Sequence, residues 1–282
     1  MPYAGGSHKN VGLRHLELIY SGLAGEIRGD KEMNSDHLRI DVLGVGEAFD
    51  PNFENSSVVV SAGDFRLLID CGATVAGRLM AKFPDPDAID AIYFTHMHPD
   101  HVFGLVPVML NWRDDGRSKP LRILCSPQLR THLEKLMELG FTGLGSAWPF
   151  TIIWHSIAET NSIGPFECRF ARSDHSVQNH AILLRYADKG FAYSGDGNVT
   201  AETAALFTGA DLVFQETYLI KHDPQHAAHC DLETVLKLAS DMPGARFWLY
   251  HVKRNVRAEM AQMIRGNEQV RIAAPGEVIE IR

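Results

Sequence analysis

The sequence predicts an α/β fold in which two β-sheets pack face to face with helices outside. Three observations support it. Short β-branched and aromatic runs are bounded by Gly, Asp or Asn; stretches of helical period lie among them; and the strands fall into two sets, each followed by helices. With 45% apolar residues in a chain of 282, a substantial core is available and disorder is excluded as the main state.

The elements follow in order. Residues 1–36 lack a period, because Gly5, Gly6, Gly22, Gly25 and Gly29 interrupt it, and they are expected to form an N-terminal accessory or poorly ordered segment, with Met33 as an alternative start. Patterning begins at His37, which sets the organised domain at 37–282. Leu38–Leu43, Ser57–Val60, Phe65–Ile69 and Ala91–Phe94 read as strands, with Ala62-Gly63-Asp64 as a hairpin turn. Val102, Leu105, Val106, Met109 and Leu110 recur at helical spacing, Pro107 implying a kink or a later start. Leu129, Leu133, Leu136 and Met137 repeat that period after Ser126-Pro127. A second set of strands is expected at Phe150–Trp154, Phe166–Ala171, Ala181–Tyr186 and Phe191–Ser194. A helix at Ala201–Phe207, a strand at Leu212–Gln215, a helix through Leu232, Val235, Leu236 and Ala239, and strands at Phe247–Tyr250 and near Val278 complete the pattern.

Charge and cysteine usage narrow the function. A net charge of -8 disfavours unspecific binding to extended nucleic acid or an anionic membrane, and no apolar run is long enough to span a bilayer. The N-terminus does not read as a signal peptide, and four well-separated cysteines suit reduced thiols, so a cytoplasmic protein is expected. Histidine is over-used, with 14 in the chain.

Four of the chemically informative residues lie in Thr95-His96-Met97-His98-Pro99-Asp100-His101, directly after an apolar strand. Imidazole nitrogen and carboxylate oxygen are ligands for zinc, manganese or iron. Three imidazoles and a carboxylate are too many for one ion: on a tight loop His96 and His98 can face one metal while Asp100 and His101 turn to another. The remaining ligands must come from distant segments. His175, Asp196 and His251 each stand at or near the end of an apolar strand, as His96 does.

The motif His-x-His-x-Asp-His formed by His96, His98, Asp100 and His101 resembles the signature of the metallo-β-lactamase fold superfamily. Within it, Leu43-Gly44-Val45-Gly46, Asn55-Ser56-Ser57, Leu68-Ile69-Asp70-Cys71-Gly72, Gly104-Leu105-Val106-Pro107, Phe214-Gln215-Glu216-Thr217 and Ala228-His229-Cys230 are similar in order to the ribonuclease Z-like branch, from about Leu38 to the end. The resemblance implies a four-layer αββα sandwich. It implies one metal held by His96, His98 and His175, a second by Asp100, His101 and His251, and Asp196 bridging, with Asp70 supporting the signature loop. Two divalent ions are implied, zinc first, with manganese or iron as alternatives, and a homodimer by analogy with the branch.

Two divalent ions sharing a water lower its pKa from about 16 toward neutrality, providing a hydroxide nucleophile and stabilising phosphoryl charge. Asp100 can both ligate and accept a proton. His229 is the candidate to protonate a leaving alkoxide, with Glu216, 13 residues earlier, holding its imidazole. His222, His226, Lys253 and Arg254 are further candidates for substrate contact. The branch's tRNA-binding arm usually lies between the elements matching His175 and Asp196, which here are only 21 residues apart. The expected function is therefore metal-dependent hydrolysis of a small or cyclic phosphodiester. Hydrolysis of a carboxylic or sulfuric ester, lactone or thioester, and tRNA 3′ processing as in ribonuclease Z, are the alternatives.

Overall fold

The computed structural model describes residues 37–143 and 148–282, so the expectation for residues 1–36 lies outside the described residues. The first of two seven-stranded sheets contains β1 (Leu38–Gly44), β2 (Ser57–Ala62), β3 (Phe65–Ile69), β4 (Ala91–Tyr93), β5 (Leu121–Cys125), β6 (Ile152–Ser156) and β14 (Val278–Ile281), ordered β14-β1-β2-β3-β4-β5-β6. The second contains β7 (Ser162–Ile163), β8 (Phe166–Arg172), β9 (His180–Tyr186), β10 (Lys189–Tyr193), β11 (Leu212–Glu216), β12 (Arg246–Tyr250) and β13 (Val270–Ile272), ordered β13-β12-β11-β10-β9-β8-β7. In each sheet one half is antiparallel and the other parallel. The parallel halves are β3-β4-β5-β6 and β10-β11-β12-β13.

Side chains alternate across a strand, so each sheet has two apolar faces to cover. Val42, Val60 and Ile69 of the first sheet meet Ile182, Phe191 and Phe214 of the second in a central layer. On the first sheet's other face, Val59, Leu68, Ile92 and Ile123 pack beneath α1 (Val75–Lys82), α2 (Pro99–Val102), α3 (Leu105–Asp114) and α4 (Pro127–Gly140). On the second, Leu183, Val213, Phe247 and Leu249 pack beneath α5 (Ala201–Phe207), α6 (Leu232–Asp241) and α7 (Arg257–Met263). The architecture is the four-layer αββα sandwich. Each fully buried Leu, Ile, Val or Phe contributes roughly 1.5–3 kcal/mol of transfer free energy, which makes these three apolar layers the main stabilising element.

Local sequence sets several boundaries. The Ser126 hydroxyl accepts from Leu129 N–H with Pro127 in the first turn of α4, Thr200 and Thr203 form a reciprocal cap on α5, and Asp231 caps α6. Pro107 lies in the first turn of α3, which starts at Leu105, so its missing donor costs no helical bond. One grouping is corrected. The run at Phe150–Trp154, placed with the second strand set, forms β6 and pairs with β5 in the first sheet. Apolar patterning identifies a strand but carries no information about its partner. Among the described residues no helix is long and apolar enough to cross a membrane.

Candidate metal centre

Parallel strands of both sheets end at one edge, and the chemistry-bearing residues gather there. Asp70 follows β3, the 95–101 loop follows β4, Asp196 follows β10, Glu216 ends β11 and His251 follows β12; His175 comes three residues after β8. Crevices at the carboxyl ends of parallel strands are common binding sites because the loops leaving them diverge.

Two groups of donor atoms form. His96, His98, His175 and Asp196 make one; Asp100, His101, Asp196 and His251 make the other; within each, the donor atoms lie within 4.8 Å of one another. In the first group, His98 Nδ1 is 3.1 Å from His96 Nε2 and 3.2 Å from His175 Nε2. In the second, Asp100 Oδ2 is 3.1 Å from His251 Nε2 and 3.4 Å from His101 Nε2. Asp196 belongs to both groups; within the second, its Oδ1 is 3.4 Å from His101 Nε2 and its Oδ2 is 3.3 Å from His251 Nε2.

Asp70 orients ligands in both groups. Its Oδ1 accepts from Thr95 N–H at 2.9 Å, and its Oδ2 accepts from the Thr95 hydroxyl at 2.8 Å and from His101 Nδ1 at 2.7 Å. Because the Thr95 proton is used on Asp70, Thr95 Oγ1 accepts from His96 Nδ1 at 2.9 Å. Both imidazoles therefore turn Nε2 toward the donor groups. His175 is fixed likewise, Nδ1 donating to the Ala228 carbonyl at 2.8 Å.

The backbone is shaped to this end. Asp70 and His251 both adopt φ of +56°, a left-handed conformation costing about 1–2 kcal/mol for a residue with a Cβ. Gly72, two residues after Asp70, is required where the chain leaving β3 meets α2, because a Cβ there would collide with the Asp100 carbonyl. Asp196 is held by Asn179, whose Oδ1 accepts from Asp196 N–H at 3.2 Å, and by Ser173 Oγ, which donates to the Asp196 carbonyl at 2.6 Å.

Electrostatics distinguish the two groups. Burial holds His96 well below the ordinary imidazole pKa and lowers His98 and His175, so all three are neutral donors. Burial also opposes charge on His101, but Asp196, Asp100 and Asp70 outweigh it and hold its pKa well above the ordinary value. His251 is raised in the same way, against burial, by Asp196 and Asp100. Despite burial, these imidazoles hold Asp100 and Asp196 below the usual carboxylate range. The second group thus demands positive charge. Among the described residues, His101 Nε2 and Asp196 Oδ1 are buried with no hydrogen-bond partner, although both face the cluster. A divalent cation that displaces the His101 proton satisfies both atoms and the carboxylate charge, so the donor set fits metal ions.

Beside the groups, His229 Nδ1 donates to Glu216 Oε1 at 2.8 Å, and Glu216 Oε2 accepts from Cys230 N–H at 2.9 Å. Burial, then the Asp196 charge, push the Glu216 carboxyl well above its usual range, while burial lowers His229. The His229 ring lies 5.2 Å from that of His175 and 5.8 Å from that of His251. The weaker candidates separate: His226 meets Lys253, Arg254 pairs with Glu47, and His222 is exposed. Sequence reasoning missed Thr95, Asn179 and Tyr218. Their only signal was a polar or aromatic side chain next to a strand end.

A family profile described as "Anti-Pycsar protein Apyc1" matches residues 38–277. The chain belongs to the Apyc1 family. It is 40% identical to an Anti-Pycsar protein Apyc1 of Bacillus phage 010DV004 over 235 residues, covering 78% of this chain and 90% of that protein. It is 23% identical to the probable metallo-hydrolase YhfI of Bacillus subtilis (strain 168), covering 86% of this chain and all of YhfI. The match to an Apyc1 protein of Paenibacillus sp. (strain J14), at 39% identity, spans 37% of this chain and 43% of the relative; that to a Methanococcus aeolicus ribonuclease Z, at 27% identity, spans 54% and 48%. The chain thus spans less than half the length of those two relatives. Among solved structures, the metallo-β-lactamase fold protein YhfI superposes with a TM-score of 0.71 at 23% identity, over 87% of this chain and 100% of YhfI. Human tRNase Z, short form, superposes with a TM-score of 0.69 at 21% identity, over 86% and 98%. These place the Apyc1 family member in the metallo-β-lactamase fold, with a buried His/Asp cluster at the sheet edge.

Proposed function

We propose that this protein is a metal-dependent phosphodiesterase acting on a small cyclic nucleotide. The observation that supports it is the His229–Glu216 pair, hydrogen-bonded at 2.8 Å and set against two donor groups that share Asp196. Membership of a cyclic nucleotide-degrading family supports the substrate class.

His96, His98 and His175 would hold one divalent ion, Asp100, His101 and His251 the other, and Asp196 both. When bound, such ions lower the pKa of water and neutralise charge on phosphoryl oxygens. The protein supplies the rest. Asp100 accepts a proton from the attacking water. His229 would act as the imidazolium, its Nδ1–H donated to Glu216 and its Nε2–H given to the departing sugar oxygen, which leaves a neutral imidazole. Glu216 holds the ring in that orientation. Zinc suits the nitrogen-rich donor set, and zinc, a homodimer and a cytoplasmic location are parts of the same proposal. All four cysteines are free and buried, in keeping with a reducing compartment.

A second feature favours a small substrate over tRNA. Between His175 and Asp196 every residue is described, and apart from a short lead-in the segment is the β9–β10 hairpin, with no arm. The test is turnover of 3′,5′-cyclic nucleotides, a p-nitrophenyl carboxylic ester and a thioester by Zn²⁺- or Mn²⁺-loaded protein. Cyclic nucleotide hydrolysis is expected, with kcat reduced about 10²–10⁴-fold in His229→Ala. Turnover of the acyl substrates alone, indifferent to that substitution, would overturn the proposal.

A further inference from the structure

Three cations lie on the segment after His251, and two of them are neutralised. Arg254 pairs with the buried Glu47, and Arg257 pairs with Asp50 at 2.9 Å. Lys253 differs. Its Nζ donates to His226 Nε2 at 2.9 Å and sits 5.3 Å from the centre of the Tyr218 ring, and among the described residues it makes no ion pair. Nor is it the start of the last helix, since α7 begins at Arg257.

Its setting ties it to the reacting end of the site. The Tyr218 ring packs against His229, centroids 4.6 Å apart, and the Tyr218 carbonyl accepts from Lys253 N–H at 3.1 Å. The His226 carbonyl accepts from His229 N–H at 3.0 Å. Ammonium and imidazole thus stand on one wall, joined through Tyr218 and the 224–226 turn.

The charge has no internal purpose there. An ammonium against the same Tyr218 ring that packs on His229 and His251 is repelled once divalent cations bind, and an anion between them offsets that cost. The bond to the His226 imidazole, its one side-chain hydrogen bond among the described residues, holds the ammonium in place, and two of its three protons stay available. We infer that Lys253 binds the anionic part of the substrate, donating to a phosphate oxygen beside His229, with His226 and Tyr218 as its positioning residues. This rests on the phosphodiester reading of the site.

Calorimetric titration of adenosine 5′-monophosphate, the product of such a hydrolysis, into metal-loaded protein tests it. Lys253→Met is expected to weaken binding about tenfold or more at low salt, the size of one charge-assisted hydrogen bond, with the difference shrinking as salt rises. Lys189→Met, which removes an equal charge at the β9–β10 turn, is expected to leave affinity unchanged. Equal affinity in wild type and Lys253→Met, at equal metal content and melting temperature, overturns the assignment. Should Lys253→Met fail to fold or load metal, His226→Ala serves: it frees the ammonium and is expected to weaken binding by a smaller factor, and no change overturns the inference. Lys253-dependent binding without turnover of any cyclic nucleotide would sink the phosphodiesterase reading and leave the anion site standing.

Discussion

Asp70 touches no candidate substrate position, yet it sets the tautomers of one imidazole in each donor group, His96 through Thr95 and His101 directly. Asp70→Asn places an amide donor where two protons need an acceptor. Metal affinity is expected to fall about 10–100-fold, read by competition with a chromophoric chelator, while Thr95→Val affects only the His96 side and loses less. His101 gives a second outcome. Its pKa is held well above the ordinary value, so the metal-free protein carries a proton there at neutral pH that a metal must displace. Loading is therefore expected to release at least one proton, seen as a dependence of calorimetric heat on buffer ionisation enthalpy. The imidazoles and Asp100 were legible in the sequence because their spacing is dense and follows a strand. Thr95, Asn179 and Tyr218 were not, since each acts through a partner distant in the chain or through a neighbour's side chain.

At the level of elements, the junction of β3 with α2 is the tightest in the site. Gly72 has no room for a Cβ against the Asp100 carbonyl, and Gly104 none against the carbonyl of Gly72. Gly72→Ala is expected to destabilise by about 1–3 kcal/mol and to displace Asp100, lowering melting temperature and metal content together. The strands themselves were largely readable. Phe65–Ile69 and the helix Ala201–Phe207 fall where their apolar patterns place them. β5, β7, β13, α1 and α7 went unread because they are short or carry interrupted patterns, and the sheet to which Ile152–Ser156 belongs depends on pairing with β5 rather than on its own residues.

Across the whole molecule, three buried apolar layers hold thiols as well as aliphatic side chains. Burial pushes the Cys125 and Cys168 thiols up to about 12, against roughly 8.5 in an unfolded chain. The folded state keeps protons that the unfolded state loses, so stability falls as pH rises from about 8.5 toward 12, by up to about 2.7 kcal/mol per pH unit for the pair. Urea unfolding at pH 8, 9 and 10 is expected to show the decline, and replacing both cysteines with alanine to lessen it without abolishing it, since burial raises the Cys71 and Cys230 thiols too. The four-layer architecture also governs where the site can form. The first sheet supplies His96, His98, Asp100 and His101; the second supplies His175, Asp196 and His251. Neither sheet holds a complete donor set, so the ions would act as a clasp across the open edge of the sandwich. Stripping them should let amides at that edge exchange with solvent while the opposite edge stays protected, making metal occupancy a measure of how firmly the two halves of the protein are closed.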